Sequence, residues 1–326
     1  MRTGLLISGT RPAGDAVALA KAAERAGIAE IWVPEDYFER GAFTLAAAIA
    51  IATERVTIGV GVVNPFTRHP LLTAMEFATL DELSGGRAVL GLGASNAVWM
   101  RDRCGIPFTQ PLTAVREATA IIRAALAGER VTFSGRHFTT DAALSFTPAR
   151  PDPPIQLGVK GRRALALAGE VADGVLLSLL ASPPYVRWAR ERADRPIPVS
   201  AYVLAACGSD AEKARAGVRR RLAFYLGVHG VHDITTVAGL PVDIAERFRA
   251  AWLAGSPAED LVTDELIDTF AVAGDPAQCR TGLDRLAGAG LNAAILFDPG
   301  DESVTELLAL SAEYHQPPRT PLGSTS

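Results

Sequence analysis

The sequence is poor in the side chains from which proteins build metal centres and disulfide frameworks. Its 326 residues include three cysteines, and Cys104, Cys207 and Cys279 are too far apart to form a C-x-x-C motif. His229 and His232 stand at helical spacing, but no third ligand accompanies them in the sequence. We therefore expect no metal site, and the odd number of thiols favours a reducing, cytoplasmic location.

Long runs of charge and long apolar runs are also missing. The formal net charge is −4 and no basic segment is present, which argues against a nucleic-acid surface. The longest apolar stretch, residues 42–52, is too short to cross a bilayer, and residues 1–8 are too short for a signal peptide. We expect a cytoplasmic protein that acts on a small molecule, with neither nucleic acid nor a membrane as its partner.

The sequence does contain a regular alternation of short apolar strands with helical segments. The candidate strands are residues 4–7, 30–33, 56–62, 87–92, 155–158, 174–178, 197–205 and 293–297. Eight strands that alternate with helices predict an α/β fold, the TIM (β/α)8 barrel. An open doubly wound sheet is the alternative, but no G-x-G-x-x-G motif follows the first strand, where that fold carries its dinucleotide-binding turn.

Two segments interrupt this alternation. Residues 130–148 have the pattern of a hairpin and predict an insertion before strand five. Residues 229–266 are helical but irregular and predict a helical insertion before strand eight. We expect residues 1–315 to form a single domain, and residues 316–326, which are rich in Pro, Thr and Ser, to be a flexible tail.

Residues 58–70, IGVGVVNPFTRHP, form the segment that most suggests a site. The pattern predicts an apolar strand, a turn and a helix that begins at Pro70, and barrel enzymes carry their function in such loops. Gly59 and Gly61 could let a ligand lie against the strand backbone, or could mark a bulge in the strand. Both interpretations stay open on this segment alone.

Several other residues have a functional and a structural interpretation. Lys160, between Gly158 and Gly161 at the start of a helix, suits a phosphate, but an ordinary glycine turn has the same pattern. Arg68 could reach the coenzyme tail or form a structural salt bridge, and for His69 we favour a structural role in the turn. Four aromatic side chains could line a substrate pocket or the core: Trp99, Tyr185, Trp188 and Tyr225.

Three motifs identify a family: VVNPFTRHP at residues 62–70, LSGGR at 83–87 with GLG at 91–93, and KG at 160–161 with LAGEVADGV at 167–175. With them the chain resembles the bacterial luciferase-like superfamily. It is most similar to the methylenetetrahydromethanopterin reductase-like branch, which uses coenzyme F420, a 5-deazaflavin. The resemblance implies a barrel with a hairpin before strand five and a cis peptide bond at Gly61-Val62. It also implies hydride transfer at C5 of the deazaflavin, and a homodimer formed through the helices beside strands two to four.

The resemblance also implies the site residues. The cofactor-binding positions are Asp36, Gly61, Val62, Asn64, Gly93, Ala94, Asn96 and, for the phosphate, Val159, Lys160, Gly161 and Ser178. Relatives that oxidise sugar phosphates have a His after the Asp and a Glu after strand four. Tyr37 and Ala94 occupy those positions here, which puts a sugar phosphate in doubt. Tyr37 and Ser95 are the candidate catalytic proton donors.

Two other functions stay open. An FMN-dependent monooxygenase could use the same barrel, and reactivity with oxygen would separate it from a deazaflavin enzyme. The missing His and Glu also allow a non-catalytic deazaflavin- or flavin-binding protein, which would bind the coenzyme tightly without turnover.

Overall fold

The computed structural model describes residues 1–298 and 303–314. The strands are β1 (Arg2–Leu6), β2 (Glu30–Val33), β3 (Thr57–Val63), β4 (Ala88–Gly93), β5 (Val131–Ser134), β6 (Thr139–Ala142), β7 (Ile155–Val159), β8 (Gly174–Leu177), β9 (Val199–Cys207), β10 (Ala271–Gly274) and β11 (Ala293–Phe297). The predicted tail at 316–326 lies outside the described residues.

The helices follow the strands in the order expected of a barrel. They are α1 (Ala13–Arg25), α2 (Ala42–Ala52), α3 (Pro70–Leu83), α4 (Pro111–Leu126), α5 (Arg162–Val171), α6 (Pro183–Arg192), α7 (Ala211–His229), α8 (Asp233–Thr236), α9 (Val242–Leu253), α10 (Asp264–Phe270), α11 (Pro276–Gly288) and α12 (Val304–Tyr314). A π-helical turn at Val98–Arg103 and a 3-10 turn at Glu259–Leu261 complete the described elements. No helix in this part of the chain is long and apolar enough to cross a membrane.

Within residues 1–298, eight parallel strands form a closed barrel in the order β1-β2-β3-β4-β7-β8-β9-β11, and β11 pairs back with β1. This confirms the predicted TIM barrel. The hairpin β5–β6 and the helical segment before β11 confirm the two predicted insertions. The strand β10 was missed: it pairs with Leu204–Cys207 of β9, which continues two residues beyond the predicted end at Ala205.

The barrel interior is filled by a large side chain from β2. Trp32 is fully buried, packs with Leu176 and Ile295, and donates from its indole nitrogen to Glu30 at 3.0 Å. A Cβ atom at Gly59 would lie 2.2 Å from the Trp32 ring, and one at Gly61 would lie 2.8 Å from it.

The two glycines therefore make room for Trp32 inside the barrel. Trp32 therefore accounts for the glycine at both positions, and the predicted contact of Gly61 with a coenzyme stays a prediction. The register of β3 against β4 shifts between Val60 and Val63, so a bulge is present at Gly61 but not at Gly59.

The LSGGR motif stabilises the bottom of the barrel, opposite the loops that follow the strands. Arg87 donates to the carbonyl groups of Ala50, Thr53, Val56 and Ser84 at 2.6–2.9 Å. One guanidinium thus joins the end of α2 to the starts of β3 and β4. The LSGGR motif therefore has a role in stabilising the fold.

The hairpin is held to the barrel by one carboxylate of α4. Glu117 accepts from the backbone N–H groups of Arg136, His137 and Phe138 at 2.7, 2.8 and 3.2 Å. Burial alone would raise the pKa of Glu117, but these three hydrogen bonds outweigh it and lower the pKa. The ring of Phe138 packs edge-on against His69 at the start of α3, with ring centroids 5.7 Å apart.

Candidate functional site

The predicted site residues lie together at the carboxyl ends of the barrel strands. Gly93 of β4 pairs with Gly158 of β7, and Val159 of β7 pairs with Leu177 of β8. The loops that carry Lys160 and Ser178 are therefore neighbours at one side of the barrel mouth. This is the edge at which enzymes of this fold place their active sites.

Val62 forms an apolar floor in the mouth. The Gly61–Val62 peptide bond is cis, which confirms the expectation from the resemblance. The Val62 side chain is half-buried and lies between two residues without side chains, since a Cβ atom would come within 2.9 Å of it at Gly93 and 2.3 Å at Gly158. The glycines keep this floor flat and leave Val62 accessible from the mouth.

A chain of hydrogen bonds borders this floor on the side of β2 to β4. The Tyr37 hydroxyl donates to Ser95 Oγ at 3.2 Å, and Asn64 Nδ2 donates to the Tyr37 oxygen. Ser95 has a φ of 65°, an uncommon backbone conformation for a residue other than glycine, and such residues are frequent at functional sites. The two candidate catalytic side chains are thus in direct contact.

Tyr37 is held as a neutral phenol. Its pKa is raised to about 12, mainly by burial and further by Glu35, Cys104 and Asp36, although the bond to Ser95 opposes the shift. The ring of Trp99, from the π-helical turn, packs on Tyr37 with centroids 5.3 Å apart. The phenol therefore keeps its proton over the whole physiological pH range.

Asn64 has a structural role in its own turn. It is fully buried, and its Oδ1 accepts from the backbone N–H groups of Phe66 and Thr67 at 2.9 and 3.0 Å. Its Nδ2 bonds to Thr67 as well as to Tyr37. Asn64 therefore orients Tyr37 in this structure, and its predicted contact with the coenzyme ring stays a prediction.

Asp36 precedes Tyr37 in the loop that follows β2. Its side chain is accessible to solvent, but the concave mouth surrounds it with protein. This desolvation is the main reason that its pKa is raised; Glu39 adds to the increase and Arg221 opposes it. Asp36 has no hydrogen bond from its carboxylate to the described residues and is available to a ligand.

Lys160 is the cationic group on the β7 side. Burial lowers its pKa, and its ammonium has no hydrogen bond or ion pair with the residues the structure describes. The following helix α5 has Gly161 at its N-cap without a side-chain cap, and the Arg162 N–H donates to Asp233 at 3.3 Å. The ammonium is free to bind an anion, whereas Asp233 already occupies part of the helix end.

Several candidates make structural contacts. Arg68 pairs with Glu35 at 2.8 Å and Glu76 at 3.1 Å, and His69 Nδ1 accepts from Leu71 N at 3.2 Å to cap α3, as predicted. Asn96 Oδ1 accepts from Trp99 N at 3.1 Å and so begins the π-helical turn, and its predicted contact with the coenzyme stays a prediction. Tyr185 is buried and stacks on Trp188, whereas Trp99 lies in the mouth.

Sequence analysis missed part of the mouth. Tyr202 of β9 donates to the carbonyl of Gly61 at 2.6 Å, and burial raises its pKa well above the usual value. Arg221 of α7 lies over the ring of Phe297. No motif marks Arg221 in the sequence, and its only signal is the helical spacing of four residues from Tyr225, a pocket candidate. No group of three or more potential metal ligands occurs in the described ranges.

Comparison with known proteins agrees with the motifs. The family model for luciferase-like monooxygenases matches residues 1–293. The chain is 33% identical over 297 residues to 5,10-methylenetetrahydromethanopterin reductase of Methanolobus tindarius, over 86% of this chain and 89% of the relative. It is 26% identical to F420-dependent glucose-6-phosphate dehydrogenase of Amycolatopsis mediterranei, with 92% of both chains covered. The solved structure of coenzyme F420-dependent tetrahydromethanopterin reductase from Methanopyrus kandleri has a TM-score of 0.86 at 27% identity, over 96% of this chain and 97% of that one.

Proposed function

Because the chain belongs to the luciferase-like monooxygenase family, we propose that it is an oxidoreductase that uses coenzyme F420 to transfer a hydride to or from a small organic substrate. The relatives named as F420-dependent support this coenzyme. The substrate class that we propose carries a C=N, C=C or C=O group.

The floor around Val62 is the observation that carries the proposal. It offers a flat ring an apolar surface without side chains at Gly93 and Gly158, while Tyr37 and Ser95 border one side and Lys160 the other. The unpaired, partly desolvated ammonium of Lys160 suits the coenzyme phosphate. The residues present therefore fit the coenzyme.

When bound, the deazaflavin supplies hydride chemistry at its C5 atom. The chain orients the bound molecules, excludes water from one face of the site and supplies a proton. Trp32 and the strands below Val62 exclude water from one face of the site. Tyr37, which is protonated and held by Asn64 and Ser95, donates the proton at its hydroxyl oxygen.

A spectroscopic titration with coenzyme F420 and, separately, with FMN tests the proposal. We expect micromolar binding of F420 and much weaker binding of FMN. Lys160→Met should weaken F420 binding by about 10- to 100-fold, because a charged hydrogen bond is lost. Lys21→Met, which removes an exposed lysine of α1, is the matched control and should leave binding unchanged.

The other outcomes each identify an alternative. Preferential binding of FMN, with oxygen consumption after reduction, would favour the monooxygenase. Tight F420 binding without bleaching of the oxidised coenzyme by any substrate in a broad screen would favour a non-catalytic binding protein. If neither coenzyme binds, the assignment of the floor and of Lys160 is wrong.

A further inference from the structure

One face of α7 carries polar side chains over the barrel mouth. Arg221, Tyr225 and His229 are four residues apart, so they lie on the same side of the helix and span about 12 Å along it. Arg221 lies over the ring of Phe297, 5.8 Å from its centroid, where β11 ends. This end of α7 therefore overlies the mouth on the side of β11.

The arginines on the rest of α7 are engaged or exposed. Arg215 and Arg219 both pair with Asp264 of α10, at 3.5 and 2.6 Å, and Arg220 points into solvent. Arg221 is half-buried and has no hydrogen bond or ion pair with the described residues. The partial burial of a guanidinium without an ion-pair partner is costly.

Two carboxylates lie near Arg221, but neither forms an ion pair with it. Asp36 acts on it electrostatically but does not approach as an ion pair, and Glu39 accepts a hydrogen bond from Ser8 at 3.1 Å. An anionic ligand would therefore find here a fork-shaped donor that has no ion-pair or hydrogen-bond partner among the described residues.

The rest of the same helix face continues toward the coenzyme side. The hydroxyl of Tyr225 has no partner among the described residues, and burial raises its pKa to about 12, so it stays a donor. His229 Nε2 is buried without a partner, and burial, with Lys160 second, lowers the pKa of its imidazole. The donors thus extend from Arg221 to the neighbourhood of Lys160.

We propose that Arg221 and Tyr225 form the substrate-recognition surface and that Arg221 binds an anionic group, a carboxylate or a phosphate, on the substrate. This inference rests on the proposed function, because the substrate must lie between α7 and the coenzyme on the Val62 floor. Phe297 and Tyr225 add aromatic rings beside Arg221, so a ring or unsaturated chain attached to the anion fits the site.

Calorimetry with benzoate, phenyl phosphate and neutral benzamide, with and without saturating F420, tests the proposal. We expect one or both anions to bind more tightly than benzamide, and the pair to distinguish a carboxylate from a phosphate site. Arg221→Gln should weaken the binding of the two anions by about 10- to 100-fold and the binding of benzamide by no more than about twofold. Arg221→Lys should retain part of the affinity for the anions, and Tyr225→Phe should modestly weaken the binding of all three ligands.

The neighbouring Arg220→Gln is the matched control, since it removes the same charge from the solvent side of α7 and should change nothing. Equal effects of Arg220→Gln and Arg221→Gln would overturn the proposal, as would the absence of anion-selective binding in the wild type. Loss of F420 affinity in Arg221→Gln would also overturn it, by assigning Arg221 to the coenzyme. Arg221-dependent anion binding in a protein that does not bind F420 would support the anion site and refute the proposed function instead.

Discussion

Tyr37 is the residue whose environment most directly suggests chemistry. Its hydroxyl donates to Ser95 and accepts from the buried Asn64, so its orientation is fixed from both sides. The burial that raises its pKa also keeps its proton in place until another group accepts it. The π-helical turn supplies Trp99 as a lid on this phenol.

We expect Tyr37→Phe to lower kcat by about 10²- to 10⁴-fold, the usual contribution of general acid catalysis, with F420 affinity nearly unchanged. The assay is the bleaching rate of oxidised F420 with the substrate found by screening. Because the pKa of Tyr37 is about 12, its acid form persists below that pH, and the wild-type rate should not fall through the mildly alkaline range for lack of this proton. Ser95→Ala keeps the phenol and should lower kcat less; full activity in Tyr37→Phe would rule out the assigned role.

At the residue scale, the sequence predicted which residues matter better than it predicted which residues they contact. The glycines of β3 were visible, but their partner Trp32 comes from another strand, and only the register of β2 with β3 brings them together. Asn64 illustrates the same limit, because its amide is used by a local turn that the motif does not specify. Side-chain contacts between distant segments cannot be obtained from spacing alone.

Among the elements, the β5–β6 hairpin depends most visibly on a single residue. Glu117 binds three consecutive backbone N–H groups in its turn, and its folded-state pKa is lowered. A lowered pKa means that this carboxylate stabilises the fold above its unfolded pKa. The contribution is lost as the pH falls through the folded pKa.

Glu117→Gln should lower the free energy of unfolding by roughly 1–3 kcal/mol at neutral pH, because a charged acceptor of three hydrogen bonds is replaced by an amide. Urea denaturation measures this change. Near the folded pKa and below it, the difference between wild type and variant should shrink, since the wild-type side chain is then neutral as well. Glu129→Gln, at an exposed position after α4, is the control. A difference that does not depend on pH would contradict the assignment to charge.

Element prediction worked where each strand and helix could be recognised from its own residues. Apolar runs separated by amphipathic helices located the eight barrel strands, and glycine punctuation located the hairpin. The strand β10 has four residues and exists because β9 continues beyond the last residue that pairs with β8. Its formation depends on tertiary pairing, so no local pattern could predict it. The same holds for the position of α7 over the mouth.

For the whole molecule, the notable surface is the outer face of α2 and α3. Apolar side chains remain exposed there, including Ile51 (70%), Leu72 (51%), Met75 (40%) and Leu83 (44%). The sequence of α2, AFTLAAAIAIA, has no polar face, which is unusual for a helix in contact with water. We propose that this surface forms the homodimer expected from the resemblance.

Light scattering should give the wild type twice the monomer mass of 34.3 kDa. Ile51→Glu and Leu72→Glu should each shift the protein toward the monomer, since a charge is placed in the proposed interface. Leu253→Glu, at an equally exposed position (66%) on α9, should leave the mass unchanged. A monomeric wild type, or a dimer that all three variants retain, would refute this interface.

The Trp32 indole, which fills the barrel, also limits the routes by which two ligands can bind and dissociate. With Trp32, Leu176 and Ile295 fully packed beneath Val62, the interior is closed below the mouth, which then serves both as entrance and as exit. In the proposed arrangement a coenzyme on the floor lies deeper than a substrate held beneath α7. We therefore expect a compulsory order of binding, in which the coenzyme binds first and dissociates last.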